Sequence, residues 1–252
     1  MTKPVHFERP FEIRFTEIDR HWQTTPTVLF NLLQETALSH ADSRERGPAA
    51  LREKGIHWFL TRIHLHIERY PRWKEGIFVR TWPSNLKGLH AVREFEVLDE
   101  SGAPIARATT RWVIVDFVRR RPHRVPPLIA EPFHVQPARA IDDAFEDLAE
   151  PESPENAHAF HVRLSDLDIN QHANSASYID WMLECAPRSV LEGAIPESIE
   201  IAFRREARAG ESLVPESAAV ESPGGGRPAF LHALRREASR ELLAVGRSVW
   251  RA

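Results

Sequence analysis

Four polar side chains crowd one short stretch, "DLDINQH", in which Asp166, Asp168, Asn170 and His172 fall at alternating positions. A helix start needs one capping side chain, whereas a carboxylate, an amide and an imidazole together can position and deprotonate water. Other chemistries fit less well. Asp166-x-Asp168-x-Asn170 imitates the opening of a calcium loop, but Gln171 stands where that loop needs glycine and Ser177 where it needs a bidentate glutamate. A zinc site would need more ligands than His172 and its neighbours supply. His64 and His66 share a strand face, as unliganded surface histidines often do, so neither a metal nor another cofactor is expected. The chain has no GxSxG elbow, P-loop or GxGxxG. On the residues alone a structural use stands level with the chemical one: Asp168 and Asn170 making turn bonds, His172 capping the helix.

The elements around the loop occur twice. "FEIRFTEIDRHWQTTPTVLFNLLQETA" from Phe11 aligns without a gap on "FHVRLSDLDINQHANSASYIDWMLECA" from Phe160. Each copy reads as an extended segment, a polar loop and an amphipathic helix. The first helix carries Val28, Leu29, Leu32, Leu33, Thr36 and Ala37 on one stripe, and Pro26 suits its start. The second carries Tyr178, Trp181, Met182 and Cys185, with Asn174 or Ser175 as N-cap. Period-two patterns follow each helix, among them "IHWFLTRIHLHIERY", "AVREFEVLDE", "SIEIAFRRE" and "LLAVGRSVW". One strand, one long helix and about four strands, repeated, predict an α+β fold. The expected architecture is a tandem hotdog, each half an antiparallel sheet wrapped around a long central helix. Seven of the nineteen prolines lie between Pro122 and Pro154. The expected division is therefore a first domain over 1–121, a Pro-rich linker over 122–157 and a second domain over 158–252. Only the second copy has the full polar set: His21 faces Asn170 and Gln23 faces His172. One half would hold the chemistry and the other would shape a substrate cavity.

Composition narrows the setting. A net charge of −3 gives no argument for a nucleic-acid partner. The single cysteine, Cys185, excludes an intrachain disulfide framework. No apolar run approaches the ~20 residues that span a bilayer, and "MTKPVHFERPFEIRF" lacks a signal-peptide apolar region. The expectation is a soluble, cytoplasmic protein without a membrane partner.

The stretch "SDLDINQHANSASYIDWMLECAP" resembles the signature loop and helix of the acyl-acyl-carrier-protein thioesterases of plant plastids and bacteria, where a D-x-N-x-H loop precedes Y-I-x-W-x-L-E. "IEIAFRREARAGE" is similar to the family's strand ending R-R-E-C. The first half matches in "LFNLLQETALSHA", "TRIHLHIERYPRWKEG" and "RWVIVDFVRRRPHRVPP". The resemblance covers nearly the whole chain. It implies a tandem hotdog that hydrolyses acyl-acyl-carrier-protein to free fatty acid and so ends elongation, with catalytic groups at Asp168, Asn170, His172 and Glu206. Ala207 departs from the pattern, since many relatives carry cysteine there, and Cys185 in the helix does not replace it. That favours direct attack of water assisted by Glu206 or Asp168, with His172 orienting it or sharing the base role, and with backbone N–H groups near Asn174 to Ala176 polarising the carbonyl. An acidic carrier implies a basic docking patch, for which Arg119, Arg120, Arg121 and Arg124 are candidates. Acyl-chain length would be set by cavity depth in the first half. A coenzyme A thioesterase, a hydratase of the same fold and a non-catalytic acyl-carrier-binding protein are the rivals. A homodimer is compatible with the sequence, although the two halves could already complete a hotdog pair within one chain. The mechanism requires Glu206 to face the Asn170–His172 loop.

Overall fold

The computed structural model describes residues 6–116, 118–119, 121–154, 156–222 and 225–252. The chain divides into two compact units, Met1–Ala144 and Phe145–Ala252.

The first unit begins with β1 (Phe7–Glu12), a 3₁₀ turn (Phe15–Glu17) and the helices α1 (Pro26–Asp42) and α2 (Pro48–Glu53). The strands β2 (Ile56–Ile67), β3 (Gly76–Asn85), β4 (His90–Asp99) and β5 (Pro104–Asp116) follow, then a short β6 (Arg121–His123) and one turn of helix, α3 (Pro127–Ala130). The sheet runs β1-β3-β4-β5-β2, with β6 also on β5, and every pairing is antiparallel. Thr25 caps α1 through its Oγ1, which accepts the Val28 N–H, and Pro26 sits in the first turn as expected. α1 buries Leu29, Phe30, Leu32, Leu33, Thr36 and His40. The apolar stripe thus recurs with two additions, Phe30 and His40, while Val28 and Ala37 are only half-buried.

The second unit carries β7 (Asn156–Ala157), β8 (Phe160–His161), a 3₁₀ turn (Leu164–Asp166), α4 (Ser175–Leu183), α5 (Arg188–Gly193), β9 (Ile195–Phe203), β10 (Ser212–Val220), β11 (Ala229–Arg236) and β12 (Leu242–Arg251). Its sheet order is β9-β12-β11-β10, with β7 and β8 both pairing β10. α4 is nine residues against seventeen in α1. The helix expected to be long in both halves is therefore short in the second, because Pro187 cannot extend it and the chain restarts as α5. α4 lays Ile179, Met182 and Leu183 against β9, β11 and β12. Gly246 makes that close approach possible: a Cβ there would lie 3.0 Å from both the Met182 Cε and the Glu200 carbonyl.

The division falls inside the stretch expected to be a linker. Prolines leave this stretch with only short elements, such as β6 and the single turn α3, without denying it contacts. Val125 and Ile129 are buried, the Trp82 indole donates to the Ala138 carbonyl, and Arg139 pairs with the buried Glu94 at 2.8 Å, all within the first unit. His64 is held by Asp143 at 3.0 Å. Beyond Ala144, Arg204 pairs with Asp147 and Arg235 with Glu150, within the second unit. Among the described residues no helix is long and apolar enough to cross a membrane.

The two copies share one frame. The 3₁₀ turns start at 15 and 164 and the helices at 26 and 175, a displacement of 149 residues. Past the helices the displacement drops to 136, chiefly because α1 is seventeen residues long against nine in α4 and β2 is twelve against nine in β9. The Glu68 and Arg69 N–H groups donate to one carbonyl, Ile105, as those of Arg204 and Arg205 donate to Leu243. Tyr70 and Pro71 thus stand in the first copy where Glu206 and Ala207 stand in the second.

Candidate active site

The polar loop is a closed turn. Leu167 and Ala173 bridge across it, and the Asp168 N–H donates to the His172 carbonyl at 2.7 Å. The Asp168 Oδ1 accepts from two backbone donors, Asn170 N at 2.8 Å and His172 N at 3.2 Å, while its Oδ2 accepts from the Asn170 amide at 3.3 Å. Gln171 takes a left-handed φ of 63°, the kink that lets both donors converge on one oxygen. Asp166 is spent on structure. Burial acts to raise its carboxyl, but bonds from the Arg163 guanidinium and N–H outweigh it and hold the group below the usual carboxylate range. Asn174 then caps α4 through its Oδ1, which accepts the Ala176 N–H.

Glu206 lies three residues beyond the end of β9 at Phe203, in the loop rather than on the strand. Three bonds fix its backbone. The Tyr178 hydroxyl donates to the Arg205 carbonyl at 3.2 Å and accepts the Ala207 N–H at 2.9 Å. Arg236 donates to the Glu206 carbonyl at 2.7 Å. Burial raises the Tyr178 phenol above its ordinary range, so it keeps the proton this clamp needs. The Ala173 N–H donates to the Ala207 carbonyl at 2.8 Å, sewing the polar loop to the glutamate's loop.

The result is a His172 Nε2 to Glu206 Oε2 contact of 3.0 Å, between side chains 24% and 35% exposed. The Glu206 carboxylate faces the loop, as the mechanism requires. Asp168 and Asn170 form one bonded pair and His172 and Glu206 another; among the described residues the pairs are joined through backbone groups, such as the His172 N–H on the Asp168 Oδ1, and not side chain to side chain. Of the backbone donors expected to polarise a carbonyl, those of Asn174 and Ala176 are engaged inside the protein, and the Ser175 N–H has no acceptor among the described residues. Ala207 is fully buried and offers no nucleophile. Burial pushes the Cys185 thiol up to about 12, so it is protonated near neutral pH.

The first copy keeps the turn and lacks these chemical groups. Asp19 accepts from the His21 N–H as Asp168 does from Asn170, and Trp22 at φ 62° mirrors Gln171. Gln23 and the buried Tyr70 occupy the places of His172 and Glu206. Sequence reasoning missed Tyr178 and Arg236 as supports of Glu206. A tyrosine rather than a phenylalanine on a buried stripe was the available signal, since its hydroxyl needs partners there. Arg236, at the end of β11, gave none. Of the arginines expected to dock a carrier, Arg119, Arg121 and Arg124 are exposed around β6, and Arg120 lies outside the described residues.

Comparison with known proteins agrees along the chain. Residues 4–133 match the acyl-ACP thioesterase N-terminal domain and residues 149–250 its C-terminal domain. A chloroplastic acyl-[acyl-carrier-protein] hydrolase of Cuphea viscosissima is 30% identical over 98% of this chain, which spans 63% of that relative's length. The 12:0-ACP thioesterase of Umbellularia californica superposes with a TM-score of 0.87 at 25% identity, covering 98% of this chain and 94% of that one. An acyl-ACP thioesterase of Bacteroides thetaiotaomicron superposes at 0.85 with 24% identity, over 98% of both chains. With both domain models matched in order over almost its full length, the chain belongs to the acyl-ACP thioesterase family.

Proposed function

We propose that this protein hydrolyses acyl-acyl-carrier-protein thioesters to free fatty acids, and that the reaction runs at His172 and Glu206. The observation that carries the proposal is their 3.0 Å contact in a part-exposed position, with the glutamate's backbone fixed by three bonds. Glu206 accepting from His172 Nε2–H leaves Nδ1 with its lone pair, and the second Glu206 oxygen stays open to water. Either is placed to take a proton from the attacking water, and the pair acts as one unit. The thiolate of the carrier's thioester leaves readily, so most of the barrier falls on water activation and on the tetrahedral oxyanion. The Asn170 amide and the Ser175 N–H supply donors for that oxyanion. Asp168 supports the site indirectly, since both its oxygens are engaged in holding Asn170 and the His172 backbone.

The test is thiol and acid release from acyl-carrier protein, acyl-coenzyme A and enoyl thioesters by the purified chain. Glu206→Gln and His172→Ala are each expected to lower turnover ~10²-fold or more. Full activity in both variants, or binding of acyl-carrier protein with no thiol release by the wild-type chain, overturns the proposal. The basic residues Arg119, Arg120, Arg121 and Arg124 are proposed as the carrier's docking patch. Reversing the charge of two of them should raise KM for the carrier substrate and leave KM for a small acyl thioester unchanged.

A further inference from the structure

Three aromatic rings stand together on the surface of the first unit: Phe15, Trp22 and Trp73 are 62%, 56% and 39% exposed. Their centroids lie 5.6 to 6.3 Å apart, and the Lys74 ammonium sits 4.6 Å from the centre of the Trp73 ring. In the second copy the same frame positions hold Leu164, Gln171 and Ala209, so the rings are specific to the half that lacks the His–Glu pair. Two of these positions carry strain. Trp22 and Lys74 have φ values of 62° and 64°, a left-handed backbone that bulky residues rarely adopt. Where the second copy needs the bend matching Lys74, it uses Gly210. The segments are tied edge to edge, with Lys74 N–H on the Ile13 carbonyl and Thr24 N–H on that of Pro71.

The exposed charge of the patch is mostly positive, with Glu12 the one exposed acid beside it. In residues 14–22 and 72–75 the exposed formal charges are Arg14, Arg20, Arg72 and Lys74. The acids of the same segments are turned inward. Glu17 pairs with Arg14, Asp19 takes the His21 N–H, and Glu75 takes the Arg72 N–H and pairs with Arg69. Among the described residues the indole N–H groups of Trp82, Trp112 and Trp250 donate to protein acceptors; those of the exposed Trp22 and Trp73 have none, as is also true of the half-buried Trp58 and Trp181. Exposed rings with unpaired donors, rimmed by cations, match a water–bilayer interface. There the ring body meets acyl chains, the N–H meets headgroup oxygens and the cations meet lipid phosphates.

We propose that this patch adsorbs the protein to anionic lipid surfaces. It lies on the surface without spanning, so the absence of a long apolar run in the sequence does not speak against it. The inference does not depend on the hydrolase reading. The experiment is co-sedimentation of the full chain with phosphatidylcholine vesicles, with and without phosphatidylglycerol, beside quenching of tryptophan by brominated lipid. Binding is expected only to the anionic vesicles and should weaken with salt. Trp22→Ser with Trp73→Ser, and separately Lys74→Glu, should each lower the partition coefficient about tenfold or more. Circular dichroism and thiol release from a soluble short-chain thioester should stay unchanged. Failure of the wild-type chain to bind anionic vesicles, or equal binding by both variants, overturns the proposal. So does a loss confined to an acidic carrier protein, which would make the patch a protein-docking surface.

Discussion

The Tyr178 hydroxyl sits between the Arg205 carbonyl and the Ala207 N–H, so a phenylalanine there would keep the ring's contacts with Trp181 and Phe203 while orphaning a buried donor. Tyr178→Phe should cost about 1–3 kcal/mol of stability in urea unfolding. It should lower kcat more than it raises KM, because the loop bearing Glu206 loses one of its ties. Asp168 has a similar supporting role with a different failure. Asparagine at 168 can still accept the two backbone N–H groups, but its amide would oppose that of Asn170. Asp168→Asn should therefore cut turnover while leaving the melting temperature nearly intact, and Asp168→Ala should lower both. The sole cysteine gives a third check at this scale. With its thiol buried and pushed up to about 12, iodoacetamide near pH 7.5 should neither modify Cys185 in the folded chain nor inhibit it. Inhibition that tracks with Cys185 alkylation would reopen a thiol route.

At the scale of elements, α1 buries a histidine that its apolar stripe does not require. His40 stacks on Phe7 at 5.0 Å, meets Phe133 edge-on and accepts from the Arg93 guanidinium at 3.2 Å. Burial, then the positive charges of Arg93 and Arg44, lower its pKa to about 3, and burial alone lowers that of His232 to about 4. Both folded values lie below the unfolded one, so the unfolded chain binds more protons between them. Stability should fall as pH drops from about 6.5, at a slope approaching ~1.4 kcal/mol per pH unit for each imidazole. His40→Gln keeps an acceptor for Arg93 and should flatten the pH dependence of urea unfolding between pH 6.5 and 4; an unchanged slope would remove His40 from the account. This burial was not legible beforehand, because a histidine within "LSHAD" reads as an end-of-helix cation. The polar loop was legible because an Asx turn, a cap and an apolar stripe leave marks at fixed short spacings. The length of α4 could be read only with Pro187 weighed as a stop. The clamp from Tyr178 and Arg236 joins segments 27 to 30 residues away, a separation at which periodicity carries no signal.

Across the whole molecule, one frame is used twice with different contents. The constant displacement of 149 residues over turn and helix start was readable because no insertion interrupts it, and turn bonds, bridge and left-handed kink all repeat at that spacing. The second displacement, 136, escaped sequence reading. Arg69, Arg72 and Glu75 do recur as Arg205, Arg208 and Glu211, with the glutamate accepting the second arginine's N–H in both copies, but the run is short and interrupted by Tyr70 against Glu206, Pro71 against Ala207 and Lys74 against Gly210. On the proposed reading, the asymmetry means that the frame alone does not suffice for chemistry. The turn can present an imidazole, but without a carboxylate at the matched place nothing fixes its tautomer or shares its proton. This gives a test of one reactive site per chain. In a His172→Ala background, adding Gln23→His places an imidazole on the first copy's turn opposite the buried Tyr70, which offers no carboxylate. Turnover of an acyl thioester should remain at the level of His172→Ala alone. Recovery of more than a small fraction of wild-type activity would show that the turn geometry suffices and that the His–Glu contact is not what makes the second half reactive.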